Sequence, residues 1–182
     1  MYWTPFRNRL LPALVLVFFC LSAGSANAEL SRDYKKWVDE DVRWIITDQE
    51  RADFLKLSND KQRDDFVKAF WARRDPTPGT PQNGFKEEHY RRLAYANEHF
   101  AAGVPGWKTD RGRVYIVYGP PDTVESHRAD VNVAGDAVYP NEVWHYRYIE
   151  GMGKDATWEF VDTCRCGDYH LTADPAAKKP AR

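Results

Sequence analysis

The chain has 182 residues, of which 26 are basic and 27 are acidic, so its formal net charge at neutral pH is −1. A charge so close to zero excludes the strongly basic surface of nucleic-acid-binding proteins and gives no general attraction to anionic membranes. The length is sufficient for one domain with a substantial hydrophobic core.

The first 28 residues have the features of a signal peptide. Arg7 and Arg9 precede an apolar run at residues 10–21, and residues 26–28 read Ala-Asn-Ala, a small-x-small cleavage site. The run is short for a membrane span. We therefore expect cleavage before Glu29, which leaves 154 residues, no membrane span and, because two arginines are lost, a net charge of −3. An uncleaved leader that anchors the chain is the alternative. In either case the sequence predicts a periplasmic or secreted protein.

Apolar side chains recur at helical spacing through the first half of the remaining chain. Thr47 and Glu50 form a capping-box sequence, the Ser-Asn-Asp at residues 58–60 is expected to cap a further helix, and Pro76 disfavours helix at the residue before it. Four helices are predicted: residues 31–46, a short helix after Thr47, a helix from about 59 to 74, and a helix from 85 to a C-cap at Gly103.

The segment at residues 106–112, Gly-Trp-Lys-Thr-Asp-Arg-Gly, separates this half from a half with strand spacing. It is typical of a tight turn, either type I with Gly112 last or type II with Gly112 at positive φ. After Arg113, residues 114–118 are apolar or aromatic on both faces, which favours a central strand over residues 113–118 that is covered on both sides. The Gly-Pro-Pro at residues 119–121 would end that strand, because proline cannot donate to a ladder.

Alternating side chains predict three further strands joined by short turns, at residues 142–149, 156–162 and 168–172. Residues 123–141 are polar with little periodicity and are expected to form a loop. With residues 113–118 the strands number at least four. The predicted fold class is therefore α+β, with N-terminal helices packed on a C-terminal, mainly antiparallel sheet. One domain is expected over residues 29–172, followed by a disordered tail at residues 173–182.

Cys164, Cys166 and His170 form a cluster with metal or redox character. A metal site would need a sharp bend, because residues 164 and 170 would lie about 20 Å apart in a straight strand, and it would need a fourth ligand. A Cys164–Cys166 disulfide is favoured over a metal in an oxidising compartment. An extended i, i+2 pair has a Cα separation of about 6.6 Å, near the upper limit for a bridge, and so small a ring should be easily reduced.

The sequence contains neither a Gly-x-Ser-x-Gly nucleophile elbow nor a His-Glu-x-x-His helix. Asp75 and Asp110 could act as a carboxylate pair only if the fold joins their loops, and we favour turn capping for both. The sequence thus predicts no catalytic residue and no cofactor. The deciding observation is whether Asp75 and Asp110, with Arg74 and Arg111, meet in a cleft or hold two separate loops.

Four segments of the chain form long, ordered motifs. They are Phe-Trp-Ala-Arg-Arg-Asp-Pro-Thr-Pro-Gly-Thr at residues 70–80, Tyr-Ala-Asn at 95–97, the segment at 106–112 and Gly-Pro-Pro-Asp at 119–122. Together they resemble the GWxTD-domain family of exported bacterial proteins, over residues 34–172. Gly84 departs from the family pattern, which usually has an acidic residue there. The resemblance implies a secreted bacterial domain and implies no reaction.

We interpret the motif residues as structural. They are Asp75, Pro76, Gly106, Trp107, Thr109, Asp110, Arg111 and Gly112. The leading hypothesis is an exported, non-catalytic binding or structural domain of the bacterial envelope, whose partner is an envelope protein, a peptide or a glycan. Recognition of a peptide or glycan would require accessible aromatic rings, for which Trp107, Trp144 and Trp158 are the candidates. The alternative is an envelope redox or metal-dependent protein that uses the cysteine and histidine cluster.

Overall fold

The computed structural model of the chain describes residue 1, residues 30–131 and residues 137–173. The predicted signal peptide at residues 1–28 and the predicted tail at residues 173–182 therefore lie almost entirely outside the described residues. Residues 1 and 173 are the exceptions, and residue 173 belongs to the last strand. In the described part of the chain, every helix is too short or too polar to cross a bilayer.

Helices form the first part of the described chain and strands form the second. The helical elements are α1 (Arg32–Lys36), which continues as a π-helix (Trp37–Asp41), α2 (Asp48–Leu55), α3 (Asp60–Ala72), α4 (Gly84–His99), a 3-10 turn (Gly106–Lys108) and α5 (Asp110–Tyr118). The strands are β1 (Thr123–His127), β2 (Asp130–Val131), β3 (Ala137–Val138), β4 (Asn141–Ile149), β5 (Gly153–Val161) and β6 (His170–Ala173).

The helix starts follow the predicted caps. Thr47 and Glu50 form a complete capping box at α2, and the Asn59 side chain caps α3 by accepting from the Gln62 amide. The first predicted helix is shorter than expected, since regular helix ends at Asp41. Helix α4 ends at His99 and not at Gly103, because the buried Phe100 leaves helical geometry. Gly103 adopts its positive φ of 69° in the loop that follows.

The prediction of a strand at residues 113–118 is wrong, because these residues belong to helix α5. Thr109 caps this helix, and Gly119 ends it with a φ of 85°. After Arg113 the segment is apolar or aromatic at every position and buries Val114, Tyr115 and Ile116, so periodicity could not separate a buried strand from a buried helix. Gly112 does not have a positive φ, so the type II turn is also wrong.

The main sheet has four antiparallel strands in the order β1-β4-β5-β6. The predicted meander is present as β4, β5 and β6. The fourth strand is β1, which lies in the predicted loop at residues 123–141 and pairs Val124 with Trp144. Strands β2 and β3 form a separate two-stranded ladder. The predicted α+β class, with N-terminal helices followed by an antiparallel sheet, is confirmed.

Two clusters of buried side chains hold the layers together. One lies among the N-terminal helices and includes Trp37, Phe54 and Phe70. The other lies between helices α4 and α5 and the sheet, where Trp144 and Trp158 are buried. The second cluster covers one face of the sheet, because alternate residues of β4 and β5 point towards the helices.

Glu50 joins the helices around the first cluster. Its carboxylate accepts from Arg74 at 2.7 Å and from Arg73 at 2.9 Å. The Arg74 guanidinium also lies 3.7 Å from the centre of the Phe70 ring. Partial burial opposes ionisation of Glu50, but the hydrogen bonds from Arg74, the Thr47 amide and Arg73 outweigh it and lower the pKa of Glu50 to about 2.

This low pKa predicts an acid-sensitive contribution to stability. Because the folded-state pKa of Glu50 lies below its unfolded value, the contribution is complete above about pH 4.5 and is lost as the pH falls towards 2. We expect Glu50→Gln to remove about 1–2 kcal/mol of this pH-dependent stability, allowing for solvent screening. Urea unfolding at several pH values would measure it.

The partner variant gives the control for this prediction. Arg74→Gln should remove only part of this pH-dependent stability, because Arg73 and the Thr47 amide still lower the pKa of Glu50, and adding it to Glu50→Gln should remove no more of the pH dependence. A difference between wild type and Glu50→Gln that stays constant from pH 6 to pH 2.5 would contradict the assignment.

Candidate functional site

The corner at residues 106–112 is built on the close approach of three backbone segments. A Cβ atom on Gly106 would lie 1.8 Å from the Ala96 carbonyl oxygen in α4. A Cβ atom on Gly112 would lie 1.9 Å from the Gly106 carbonyl oxygen. Both distances are far below van der Waals contact, so only glycine permits helix α4, the 3-10 turn and helix α5 to pack at these points.

Thr109 connects the 3-10 turn to helix α5. Its buried hydroxyl donates to the Gly106 carbonyl at 2.8 Å and accepts from the Gly112 amide at 3.1 Å. Both hydrogen-bonding roles of the hydroxyl are therefore used inside the corner. Thr109 is therefore placed to cap the helix and to hold it against the 3-10 turn.

Trp107 is held by its main chain. Its amide donates to the Asn97 side chain at 3.0 Å, and its carbonyl accepts from the Trp44 indole at 2.8 Å. The residue is half-buried and borders an open cleft of about 370 Å³ that Lys36 and Asp41 also line. Lys36 and Asp41 form an ion pair with each other.

Asp110 and Arg111 reach from the start of α5 to the end of the sheet. The Asp110 carboxylate accepts from the Leu171 amide at 2.9 Å. The Arg111 guanidinium donates to the Gly167 carbonyl at 3.0 Å and to the Glu142 carboxylate at 3.1 Å. It also lies 4.1 Å from the centre of the Tyr169 ring. These contacts attach the corner to β4 and to the segment before β6.

That segment, residues 162–170, contains a disulfide between Cys164 and Cys166 and is called the disulfide loop below. The Cα atoms of the two cysteines are 5.2 Å apart, so the turn brings them within bridging range. The buried carboxylate of Asp162 accepts from the Cys166 amide at 3.1 Å and from the Gly167 amide at 2.7 Å. Asp162 therefore holds the backbone of the loop in place through these two amide groups.

The predicted metal set of Cys164, Cys166 and His170 is not gathered in this arrangement. The ligand atoms of Asp162, Cys164 and Cys166 lie within 4.8 Å of one another, and His170 does not belong to that group. Its ring lies 3.2 Å from the Asp168 carboxylate and 3.9 Å from that of Asp110. The bridged sulfur atoms also carry no thiolate for a metal.

The other predicted motif residues lie elsewhere. Asp75 accepts from the Thr77 amide at 3.0 Å in a local turn, Pro76 is exposed beside it, and Arg74 pairs with Glu50. No hydrogen bond or ion pair among residues 30–131 and 137–173 joins Asp75 to Asp110. The structure therefore places Asp75 in a local turn and Asp110 at the start of helix α5, and it does not bring them together as a catalytic pair.

A groove with aromatic walls lies between helices α4 and α5 and the β1 side of the sheet, and it is called the aromatic groove below. Its volume is about 320 Å³. It is lined by Tyr95, Phe100, Tyr115, Pro120, Pro121, Val124, Glu142 and Trp144. Tyr95 is 38% exposed and stacks on Tyr115, with ring centres 4.5 Å apart. Glu142 accepts from the Trp144 indole and from Arg111, so it connects the groove to the corner.

The comparisons with known proteins agree with the motifs. The sequence profile described as the GWxTD domain matches residues 31–175. The chain belongs to the GWxTD-domain family. No curated protein and no solved structure shows a match to it. The resemblance seen in the sequence is therefore confirmed.

Within this GWxTD domain, sequence reasoning did not find the aromatic groove. Two of the three predicted aromatic candidates, Trp144 and Trp158, are buried in the core. One feature of the sequence could have indicated the groove. Tyr95 and Pro120-Pro121 belong to two of the family motifs, and they border the same groove although they lie about 25 residues apart in the sequence. Gly84 departs from the family pattern without loss of a cap, because Asn83 accepts from the Lys86 amide.

The close approach at the corner predicts the effect of one added methyl group. Gly106→Ala should lower the free energy of unfolding by about 2–3 kcal/mol, because helix α4 must move away from the 3-10 turn. Urea denaturation would measure the change.

Gly84→Ala is the matched control. A Cβ atom at Gly84 has no neighbour within 4 Å, so we expect a change of no more than about 0.5 kcal/mol. Equal effects of the two substitutions would show that packing at the corner is not what requires glycine at position 106.

Proposed function

We propose that this GWxTD domain is an exported, non-catalytic binding domain of the bacterial envelope that holds an extended peptide segment in the aromatic groove. The observation that carries the proposal is that exposed strand β1 borders the same groove as the stacked Tyr95 and Tyr115 rings. A backbone edge and an apolar wall at one place are the two features that recognition of extended peptides uses.

The corner supports a non-catalytic role. Thr109 has both hydrogen-bonding roles of its hydroxyl engaged, Asp110 accepts from a backbone amide, and Arg111 is paired with Glu142. Groups used in this way hold segments in place. They are not poised to donate or accept a proton from a substrate, which needs a group within hydrogen-bond reach of the reacting atom.

Strand β1 supports recognition of a peptide. It is the first strand of the four-stranded sheet, and in the described residues it pairs with β4 alone. All five of its residues are exposed. The opposite edge of the strand therefore offers backbone N–H and C=O groups to an added strand. Val124 lines the groove, so a strand added beside it would direct alternate side chains towards the aromatic wall.

The aromatic wall supports a peptide more than a glycan. Sugars stack on the open face of an aromatic ring, whereas the Tyr95 ring already contacts Tyr115 at 4.5 Å and His99 at 4.0 Å. The Tyr95 ring is therefore already engaged with two other rings, and the proline and valine side chains that share the groove wall suit the apolar and proline side chains of a peptide.

The envelope location is supported by two features of the chain. The basic, apolar and small-residue regions at its start have the order of a secretory leader. The Cys164–Cys166 disulfide would persist in an oxidising compartment and would be reduced in a cytosol.

We expect the protein to be recovered from the periplasmic or extracellular fraction of its host with Glu29 as its first residue. Ala28→Leu should block this cleavage, because the cleavage site needs a small residue there, while Asn27→Gln at the neighbouring free position should not. Fractionation and N-terminal sequencing would test it. Recovery from the cytoplasm with residues 1–28 intact would contradict the location.

Peptide binding can be tested with an array of blocked nine-residue peptides that alternate apolar and polar side chains. We expect at least one to bind, and Tyr95→Ala to weaken that binding about tenfold or more because the groove loses its exposed ring. In NMR spectra, the amide chemical shifts of the β1 residues should change when the peptide is added.

Tyr148→Ala is the control, because Tyr148 is an exposed tyrosine on β4 that does not line the groove. It should leave the affinity unchanged. The proposal is wrong if no peptide of the array binds, or if Tyr95→Ala and Tyr148→Ala weaken binding equally.

A further inference from the structure

The disulfide loop is held in place without its disulfide. Asp162 accepts from the amides of Cys166 and Gly167, and Arg111 donates to the Gly167 carbonyl. At the end of the loop, Asp110 accepts from the Leu171 amide. None of these four hydrogen bonds involves a sulfur atom. The loop therefore has the contacts to keep its shape when the S–S bond is broken, which leaves the two thiols side by side.

The bridge is poorly suited to a purely structural role. It encloses a single residue, Arg165, and a disulfide that closes so short a loop restricts the unfolded chain least. Arg165 adopts a φ of 58°, which is unfavourable for a residue with a side chain. Both cysteines are exposed. Exposed disulfides are the ones that external thiols can reach.

Asp162 gives the sulfur atoms of Cys164 and Cys166 different surroundings. Its Oδ1 atom lies 3.1 Å from the Cys164 sulfur, and because a bridged sulfur carries no proton, this is a close contact and not a hydrogen bond. After reduction the Cys164 thiol can donate its proton to that oxygen. A thiolate at Cys164 would instead face a carboxylate of the same charge. The Cys166 sulfur lies within 4.8 Å of the Asp162 carboxylate, but the hydrogen bond of Cys166 to that carboxylate comes from its backbone amide.

We propose that Cys164 and Cys166 form a reversible thiol–disulfide exchange site, in which Cys166 attacks and Asp162 accepts the proton of the resolving Cys164. This site is independent of the peptide groove. Its co-reactants are the disulfides and thiols of small molecules or of other envelope proteins.

In the oxidising direction the thiolate of Cys166 attacks a disulfide R–S–S–R and releases one R–S⁻, which leaves Cys166 as a mixed disulfide. Cys164 then passes its proton to Asp162 and attacks the Cys166 sulfur, which forms the intramolecular bridge and releases the second R–S⁻. Two electrons pass from the two protein thiols to R–S–S–R. The two protons that the cysteines lose reach the two R–S⁻ groups through solvent.

The experiment equilibrates the protein with mixtures of reduced and oxidised glutathione, followed by rapid alkylation and mass spectrometry. We expect the bridge to open and close reversibly with the glutathione ratio, while circular dichroism shows the same folded domain in both states. In the reduced protein at pH 7, Cys166 should be alkylated about fivefold or more faster than Cys164.

Asp162→Asn tests the role of the carboxylate. It should speed alkylation of Cys164 and slow closure of the mixed disulfide about tenfold or more, because the proton acceptor is lost. Its circular dichroism and melting temperature show whether the domain still folds. If this variant does not fold, the ratio of the two alkylation rates in the wild type still decides the assignment.

Three results would overturn the proposal. They are two freely alkylated thiols in the protein purified from an oxidising compartment, loss of the folded domain on reduction, and equal alkylation rates at the two cysteines of the reduced protein.

Discussion

Backbone contact between helix α4, Gly106 and Gly112 determines how the two halves of this GWxTD domain fit together. The Ala96 carbonyl occupies the space that a side chain at Gly106 would need, and the Gly106 carbonyl does the same at Gly112. With the segments at this distance, the Thr109 hydroxyl can reach both the turn and the first turn of α5. The direction of α5 then places Asp110 and Arg111 against the end of the sheet. The disulfide loop and one wall of the groove depend on that direction.

The parts of the fold that the sequence predicts are those decided by local chemistry. The capping box at Thr47 and the cap at Asn59 use side chains three residues from their partners, so the sequence contains all the information required. The β4–β5–β6 meander is read from short turns between alternating segments. Strand β1 was missed because all five of its residues are exposed, which leaves no alternation to detect.

The parts that failed depend on tertiary packing. The apolar run at residues 113–118 fits a buried strand or a buried helix equally well, and the Thr109 cap that decides between them was interpreted as a turn. For the candidate site, the cysteine pair was visible in the sequence. The position of Asp162 beneath it was not, because it depends on the turn that brings the Cys166 and Gly167 amides to the Asp162 carboxylate. The aromatic groove likewise joins residues from three segments that are distant in the sequence, 95–100, 115–124 and 142–144.

Tyr90 packs against both hydrophobic clusters, the one among the N-terminal helices and the one against the sheet. The Trp44 indole makes a second connection between the halves through its hydrogen bond to the Trp107 carbonyl. A protease that cut the proline-rich segment between α3 and α4 would therefore not release two autonomous pieces. Each fragment would carry an apolar surface shaped for the other, so the cleaved halves should remain associated until both clusters melt together.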